Sequence, residues 1–201
     1  MNNYIKKSDF NYKYLIYISM LLITLKLLIT ILVYKTISVF NFTTSLSIVL
    51  MPLWFFMLTI ITEVYGYQIT KKLIIFALIC QAIFVLTYII IDNKSSYLMP
   101  RIVIAGICAT LSGSIIGSYI LDKYKIIVNG KYFLWRILLS TIVGQFIYTV
   151  IADIIAFVGI KNYIVILELA TTSFTLKLIA IPFLIIPTII ISKILIHQEN
   201  S

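Results

Sequence analysis

TEVYGYQITKK, residues 62–72, joins two apolar runs that are each long enough to cross a membrane. This stretch carries Glu63, one of only seven acidic residues in a chain that is 62% hydrophobic. A carboxylate at the mouth of a membrane helix loses its water at a high free-energy cost, so its position needs a reason. Glu63 is therefore the first candidate for a functional site, and the two apolar runs beside it set the fold class.

Composition places the whole chain in a membrane. Its 201 residues have a mean hydropathy of +1.10, and 11% of them are charged, against about a quarter in soluble domains. One spanning helix needs about 20 apolar residues, and an apolar run in lipid must satisfy its own backbone hydrogen bonds. The sequence therefore predicts one integral membrane domain over residues 1–201, an all-α polytopic bundle of about six transmembrane helices.

The apolar runs give approximate bounds for these helices. The fifth run is longer than a bilayer requires, so we expect it to tilt or to extend past the bilayer. A further stretch, residues 163–170, contains Glu168 and is too short to span, so we expect it to lie at the interface or to re-enter. The predicted spans are residues 14–34, 45–66, 73–91, 102–121, 134–158 and 173–196.

Cations in the connecting segments predict the orientation, because lysine and arginine accumulate on the cytoplasmic side. With both termini in the cytoplasm, nine lysines fall inside and four cations fall outside. The net charge of +9 is spread over many loops with no basic face, which favours anionic lipid headgroups over nucleic acid as the partner. The inner set is Lys6, Lys7, Lys13, Lys71, Lys72, Lys123, Lys125, Lys131 and Lys193, and the outer set is Lys35, Lys94, Arg101 and Lys161.

Helix five carries the richest set of polar residues, which fall roughly on one helical stripe. Such a stripe must face protein or water, because polar groups are costly to place against lipid. An interhelical hydrogen-bond seam and a substrate cavity both remain open for it, and its two charged members favour a function. The stripe comprises Arg136, Ser140, Thr141, Gln145, Tyr148, Thr149 and Asp153.

Two lysines lie within the predicted spans. Lys26 is in the middle of helix one, where a structural ion pair with Asp153 or Glu63 is the favoured interpretation. Lys177 lies near the start of helix six, where a lysine typically extends its charge towards the membrane surface.

Enzyme chemistry has few candidate residues in this chain. His197 is the only histidine and lies in the C-terminal tail, so histidine-based zinc sites and catalytic triads have no partners. Cys80 and Cys108 fall inside apolar runs and are interpreted as packing residues. We therefore expect no enzyme, no metal site and no cofactor, which leaves binding and translocation.

The run from Met51 to Lys72, with EVYGY at residues 63–67, resembles the segment before the second loop in the queuosine-precursor transporter family. These small bacterial inner-membrane proteins are also called vitamin-uptake transporters. The resemblance covers about residues 45–196 in order and spacing. It is also carried by RIVIA at 101–105, LWR at 134–136, Gly144-Gln145, IAF at 155–157, Lys177 and Pro187.

The resemblance implies a multi-pass protein of the bacterial plasma membrane that imports a 7-deazaguanine base or a related heterocycle for tRNA modification. A flat base of this kind can stack on aromatic rings, and a carboxylate can accept from its donor edge. Thr59, Gly117 and Tyr148 are uncharged where the family pattern has acids, which favours a diverged substrate. The predicted substrate-binding residues are Glu63, Tyr65, Arg101, Arg136, Gln145, Asp153 and Lys177.

Two other classes of protein remain open. One is the substrate-binding S-component of an energy-coupling-factor vitamin importer, to which the small-residue spacing of Ala105 and Ala109 would be relevant. The other is a non-transporting membrane assembly protein whose polar residues only lock helices together. The expected partners are the lipid bilayer and a small heterocycle, with a homo-oligomer left open and an ATPase module only for the S-component.

Overall fold

A computed structural model describes residues 12–33, 35–39, 42–91 and 98–199. Lys6, Lys7 and Lys94, which entered the orientation prediction, lie outside these ranges. Within them the chain forms six helices and one β-hairpin. Their bounds are α1 Leu15–Leu32, β1 Thr36–Val39, β2 Phe42–Ser45, α2 Ser47–Tyr65, α3 Tyr67–Ile91, α4 Leu98–Ile127, α5 Phe133–Phe157 and α6 Tyr163–Glu199.

All six helices are long and apolar enough to cross a membrane, which confirms the predicted all-α bundle. The predicted bounds agree closely for α2 and α5. α3 begins at Tyr67 rather than at residue 73, and α4 continues past residue 121 to Ile127. Large apolar side chains such as Ile164 and Phe183 are exposed on the outer faces of the bundle, where hydrocarbon would surround them in a bilayer.

α6 corrects one prediction. Residues 163–170 were expected to form a separate interfacial or re-entrant segment, but they are the first turns of a continuous helix of 37 residues. The polar residues Thr171, Thr172 and Ser173 do not interrupt this helix, because no glycine or proline lies among them. At 1.5 Å per residue the helix is about 55 Å long, well beyond a hydrocarbon core of about 30 Å.

Gly66 alone separates α2 from α3. Its φ of 87° lies in the left-handed region that glycine adopts without steric cost, and its N–H donates to the carbonyl of Thr62. This ends α2 and lets α3 begin at Tyr67. The stretch that joins the two apolar runs is therefore a one-residue corner rather than a loop.

α2 is the centre of the bundle. Of its spanning residues 78% are buried, against 44% or fewer in every other helix, and it contacts each of the other five. Trp54, Leu58 and Ile61 are fully enclosed at the core of this packing. Groups carried by α2 are thus positioned against all the other helices.

α4 and α5 are antiparallel and approach to backbone contact. A Cβ atom on Gly113 would lie 2.6 Å from the carbonyl oxygen of Gly144, and one on Gly144 would lie 2.9 Å from the oxygen of Gly113. One turn along α4, Gly117 faces the carbonyl of Ser140 in the same way. Small residues spaced by four on both helices make this close seam, as in other membrane helix pairs.

The β-hairpin between α1 and α2 was not predicted, since this segment was interpreted as a loop. Its strands are antiparallel, with Thr36 opposite Ser45 and Val39 opposite Phe42. Ser45 Oγ donates to the carbonyl of Val33, at the end of α1, at 3.0 Å. It also shares a hydrogen bond of 2.8 Å with Ser47 Oγ, at the start of α2, so Ser45 links the hairpin to both helices.

Candidate functional site

Three helix ends meet around Glu63. In the last turn of α2, its carboxylate receives Arg136 Nη1 at 3.1 Å and Nη2 at 3.2 Å, a two-pronged ion pair with the first turn of α5. Lys125, in the last turn of α4, places Nζ 3.4 Å from Glu63 Oε1 and donates to the backbone carbonyl of Glu63 at 2.7 Å. We call Glu63, Arg136 and Lys125 the Glu63 cluster.

Two of the three members of the Glu63 cluster are buried. Glu63 is 7% exposed and Arg136 is 3% exposed. Arg136 also donates to the carbonyls of Gly130 and Lys131, in the turn that links α4 to α5. Both carboxylate oxygens of Glu63 thus face protein cations, so the two predicted substrate contacts Glu63 and Arg136 are engaged with each other here. A role for them in substrate binding stays a prediction.

A cavity of about 400 Å³ lies towards the opposite end of the bundle. It is lined by five helices: the end of α1, the starts of α2 and α4, the C-terminal half of α5 and the N-terminal half of α6. Its lining combines apolar positions with both signs of charge. The polar and aromatic lining residues are Ser45, Ser47, Tyr148, Thr149, Asp153, Phe157, Lys161, Ser173 and Lys177.

Asp153 and Lys177 are the predicted site residues that this cavity brings together. Asp153 Oδ2 is buried and has no hydrogen-bond partner among the described residues. Lys177 Nζ donates to Thr149 Oγ1 at 2.8 Å and lies 4.7 Å from the centre of the Tyr148 ring. A second cation, Lys161, lies 4.8 Å from the ring of Phe157. The cavity lining therefore combines a carboxylate, two ammonium groups and two aromatic rings.

The position of Lys177 differs from the prediction. It was expected near a helix end with its charge extended towards the surface, but α6 begins at Tyr163 and Lys177 is 5% exposed. The early start of α6 places this lysine deep in the bundle.

The polar stripe of α5 serves several purposes rather than one. Arg136 belongs to the Glu63 cluster, and Thr149 and Asp153 line the cavity. Ser140 and Thr141 line a separate pocket of about 10 Å³ beside the α4–α5 seam, together with Thr59 and Gly117. The stripe thus includes an interhelical ion pair, a small pocket and part of the cavity lining, and its role in substrate binding stays a prediction.

Three other predicted site residues lie outside the lining of the cavity. Tyr65 donates its hydroxyl to Glu199 Oε1 at 2.6 Å, which ties the end of α2 to the end of α6. Arg101 donates to the backbone carbonyls of Ile155 and Val158 and thus caps the end of α5. Gln145 is fully buried, and neither its amide oxygen nor its nitrogen has a partner among the described residues.

The expected pairing of Lys26 with Asp153 or Glu63 is wrong. α1 places Lys26 beside α4, where its Nζ donates to Thr110 Oγ1 at 2.6 Å. The ammonium also lies 5.3 Å from the centre of the Trp54 ring. Both ion pairs among the described residues belong to the Glu63 cluster.

Sequence reasoning missed the contribution of Lys161 and of the glycine seam. Lys161 was assigned to an outer loop, although its position four residues after Phe157 could have suggested a place at the rim of a site. The pattern Gly113-x-x-x-Gly117 was a stronger signal for close helix packing than Ala105-x-x-x-Ala109.

Within the described ranges, no three of His, Cys, Asp and Glu come together as a metal site would require.

The architecture is that of a polytopic membrane protein, a bundle of six long apolar helices with a charged cavity between them. The sequence model of one family, described as "Putative vitamin uptake transporter", matches residues 45–191, more than two thirds of the chain. The chain therefore belongs to the vitamin uptake transporter family. Neither the curated proteins nor the solved structures compared with the chain match it. The family match confirms the coarser part of the resemblance, and the queuosine-precursor substrate stays a prediction.

Proposed function

We propose that the protein imports a flat, amphoteric heterocycle of the 7-deazaguanine class across the bacterial plasma membrane. The observation that carries the proposal is one cavity whose lining includes both the carboxylate residue Asp153 and the ammonium residue Lys177. Membership in a vitamin uptake family supports a transported solute rather than a structural role.

The size of the cavity fits this class of ligand. Small-molecule sites commonly enclose about 300–1,000 Å³, and a bicyclic base needs only the lower part of that range. The volume of about 400 Å³ would hold one such base with a short substituent.

The chemistry of the lining fits as well. A deazaguanine has adjacent N–H donors on its pyrimidine edge, and a carboxylate accepts two such donors in one plane. Asp153 supplies that carboxylate, while Lys177 and Lys161 supply donors to the carbonyl or ring acceptors of the base. Tyr148 and Phe157 provide aromatic faces on which the ring system can stack.

The two ends of the bundle suggest how passage is controlled. The cavity lies between the α2 start and the α5 end, whereas the Glu63 cluster joins the α2 end to the α5 start. In the predicted orientation the cavity faces outwards and the Glu63 cluster closes the cytoplasmic end. Import would then require the cluster to separate while the outer side closes, which is alternating access about a fixed site.

The test is uptake of a radiolabelled 7-deazaguanine base by bacteria that lack their own importer and express this chain. Asp153→Asn keeps the size of the side chain and removes its charge, so uptake should fall by about tenfold or more, because a charge-assisted hydrogen bond is lost. Glu168→Gln is the matched control, since Glu168 is an exposed acid on α6 outside the cavity lining, and uptake should be unchanged.

The amount of each variant in the membrane is measured in parallel, so that loss of folding is separated from loss of binding. Equal uptake by wild type and Asp153→Asn would contradict the site assignment. No uptake in any cell would contradict the substrate class. Uptake that appears only when an energy-coupling-factor ATPase module is supplied would show that the protein is the S-component of such an importer and not a transporter that acts alone.

A further inference from the structure

Lys26 is a buried cation that the proposed function does not use. It lies in the middle of α1 and is 1% exposed. None of the carboxylates in the described ranges forms an ion pair with it, and its hydrogen-bond partner is the hydroxyl of Thr110. An ammonium carries three donors, so this bond leaves two of them for another group.

An aromatic ring lies beside Lys26, and no counter-ion among the described residues does. The face of Trp54 lies 5.3 Å from Nζ and attracts a cation through the ring quadrupole. The indole N–H of Trp54 is itself held by Ser114 Oγ at 3.0 Å, which fixes the ring. A charge at this depth without a counter-ion is costly, and intramembrane ionisable groups of this kind usually mark a path or a site.

Lys26 lines a small pocket of about 20 Å³. Gln81 from α3 lines the same pocket, is 4% exposed, and has an Oε1 atom with no hydrogen-bond partner among the described residues. Thr30, one turn after Lys26, is also part of the wall. The pocket thus combines a cation with spare donors and an amide with spare hydrogen-bonding capacity, on two helices that do not contribute Asp153 or Lys177. We call it the Lys26 pocket.

The Lys26 pocket adjoins the main cavity. Five residues line both spaces, namely Val33, Met51, Ile102, Gly106 and Tyr148. A substituent of a ligand held between Asp153 and Lys177 would reach Lys26 by passing Tyr148, which lies between the two spaces. The volume allows one group of about two water-sized atoms, since a water molecule needs about 10–15 Å³ on the same measure.

We propose that the Lys26 pocket binds a carboxylate substituent of the transported heterocycle, with Lys26 as its cationic partner and Gln81 as a second contact. A carboxylate matches the charge and, as a planar group of three heavy atoms, needs less room in the small pocket than a tetrahedral phosphate does. The proposal rests on the proposed function in taking the main cavity as the substrate site. It implies that the cavity selects an acidic member of the heterocycle class over a neutral one.

This selectivity would be a feature of the chain's own first helix. The family match begins at residue 45, and Lys26 lies before it on α1. Membership in the family therefore carries no expectation about Lys26, whereas Gln81 lies within the matched residues.

The first experiment does not depend on transport. The melting temperature of the purified protein in detergent is measured in sodium formate and in sodium isethionate at the same ionic strength. Formate is the smallest carboxylate, whereas the isethionate anion is too bulky for the pocket. Formate at several times its dissociation constant should raise the melting temperature of the wild type by about 2–4 °C relative to isethionate. Lys26→Met should abolish that rise, and Lys123→Met, which removes an exposed lysine on α4, should keep it.

Two results of this experiment would overturn the proposal. One is a wild type that responds equally to both anions, and the other is a Lys26→Met variant that keeps the full formate response. Lys26→Met is expected to fold, because replacing an unpaired buried charge by an apolar side chain of similar length is often neutral or stabilising. Gln81→Leu serves as a second variant and should reduce the formate response.

The second experiment separates this inference from the proposed function. 7-Carboxy-7-deazaguanine and its neutral carboxamide compete against a labelled 7-deazaguanine base for uptake. The wild type should favour the acid by about tenfold, the worth of one charge-assisted bond, and Lys26→Met should lose the preference while still taking up the amide. A preference that survives Lys26→Met would overturn the inference and leave the function standing. A formate response in a protein that takes up neither compound would contradict the function and leave the pocket standing.

Discussion

The guanidinium of Arg136 and the carboxylate of Glu63 meet in a two-pronged ion pair, with contacts of 3.1 and 3.2 Å, although 73 residues separate them. The pair fixes the end of α2 against the start of α5 and encloses both charges. Breaking a buried pair by removing one partner leaves an uncompensated charge, whereas removing both partners does not.

This relationship predicts a non-additive effect on stability. Arg136→Gln should lower the free energy of unfolding by about 3–5 kcal/mol, which corresponds to a fall in melting temperature on the order of 10 °C for a chain of this size. The double variant Glu63→Gln with Arg136→Gln should lose clearly less than the sum of the two single changes. Thermal unfolding of the purified protein in detergent gives all three values.

Lys125→Gln is the matched control for that cycle. The Lys125 side chain is 33% exposed, so solvent screens its contact with Glu63 and its removal should cost much less than that of Arg136. Strict additivity of Glu63→Gln and Arg136→Gln would contradict a coupled pair.

The α4–α5 seam predicts opposite outcomes for two glycines on the same helix. Gly113→Ala would place a methyl group 2.6 Å from the carbonyl of Gly144, so the helices must separate and the melting temperature should fall by several degrees. Gly106→Ala meets no atom within 4 Å and gains up to about 1 kcal/mol of helix propensity, so its melting temperature should be unchanged or higher. Helix propensity favours alanine at both positions, so a similar loss for both variants, or no loss for Gly113→Ala, would contradict the close contact as the cause.

Cysteine labelling tests the orientation. In a background of Cys80→Ala and Cys108→Ala, a membrane-impermeant maleimide should label Lys161→Cys in intact cells, because this position is predicted to lie outside. Lys131→Cys, exposed at the opposite end of the bundle, should be labelled only after the membrane is permeabilised. The reverse labelling pattern would contradict the predicted orientation and would place the cavity on the cytoplasmic side.

Tyr65 was predicted to contact the substrate, and its hydrogen bond to Glu199 suggests a different role. Tyr65→Phe removes a 2.6 Å bond to a carboxylate, and such charge-assisted bonds are worth about 1.5–3 kcal/mol. We expect a lower melting temperature with the uptake rate per folded molecule unchanged. Tyr119→Phe, an exposed tyrosine on α4, should change neither quantity. A fall in uptake without a fall in melting temperature would instead support the prediction that Tyr65 contacts the substrate.

The helices could be predicted from the sequence because lipid leaves the backbone no other choice. α2 and α5 follow their apolar runs to within a few residues. α6 was misjudged at its start, since Thr171, Thr172 and Ser173 lower the local hydropathy without breaking a helix. Polarity was interpreted as an end of structure, whereas the hydroxyl of Thr171 bonds within the helix, to the carbonyl of Leu167 at 2.9 Å.

The charged residues of the site could be found, but their partners could not. Asp153 and Lys177 stood out because ionisable groups within membrane helices are rare. That Glu63 would meet Arg136 and Lys125, and that Lys26 would meet Thr110, depends on which helix faces lie together. Helical periodicity assigns a residue to a face of its own helix and carries no information about the neighbour opposite.

The contact between Gly113 and Gly144 also has a consequence for how motion in this protein can be observed. Two helices that touch through their backbones cannot slide without a clash, so α4 and α5 should travel as one rigid rod. A spin label on α4 and another on α5 would keep a fixed distance through a whole transport cycle. Distances from this pair to labels on α2 or α6 would then measure how far those helices move.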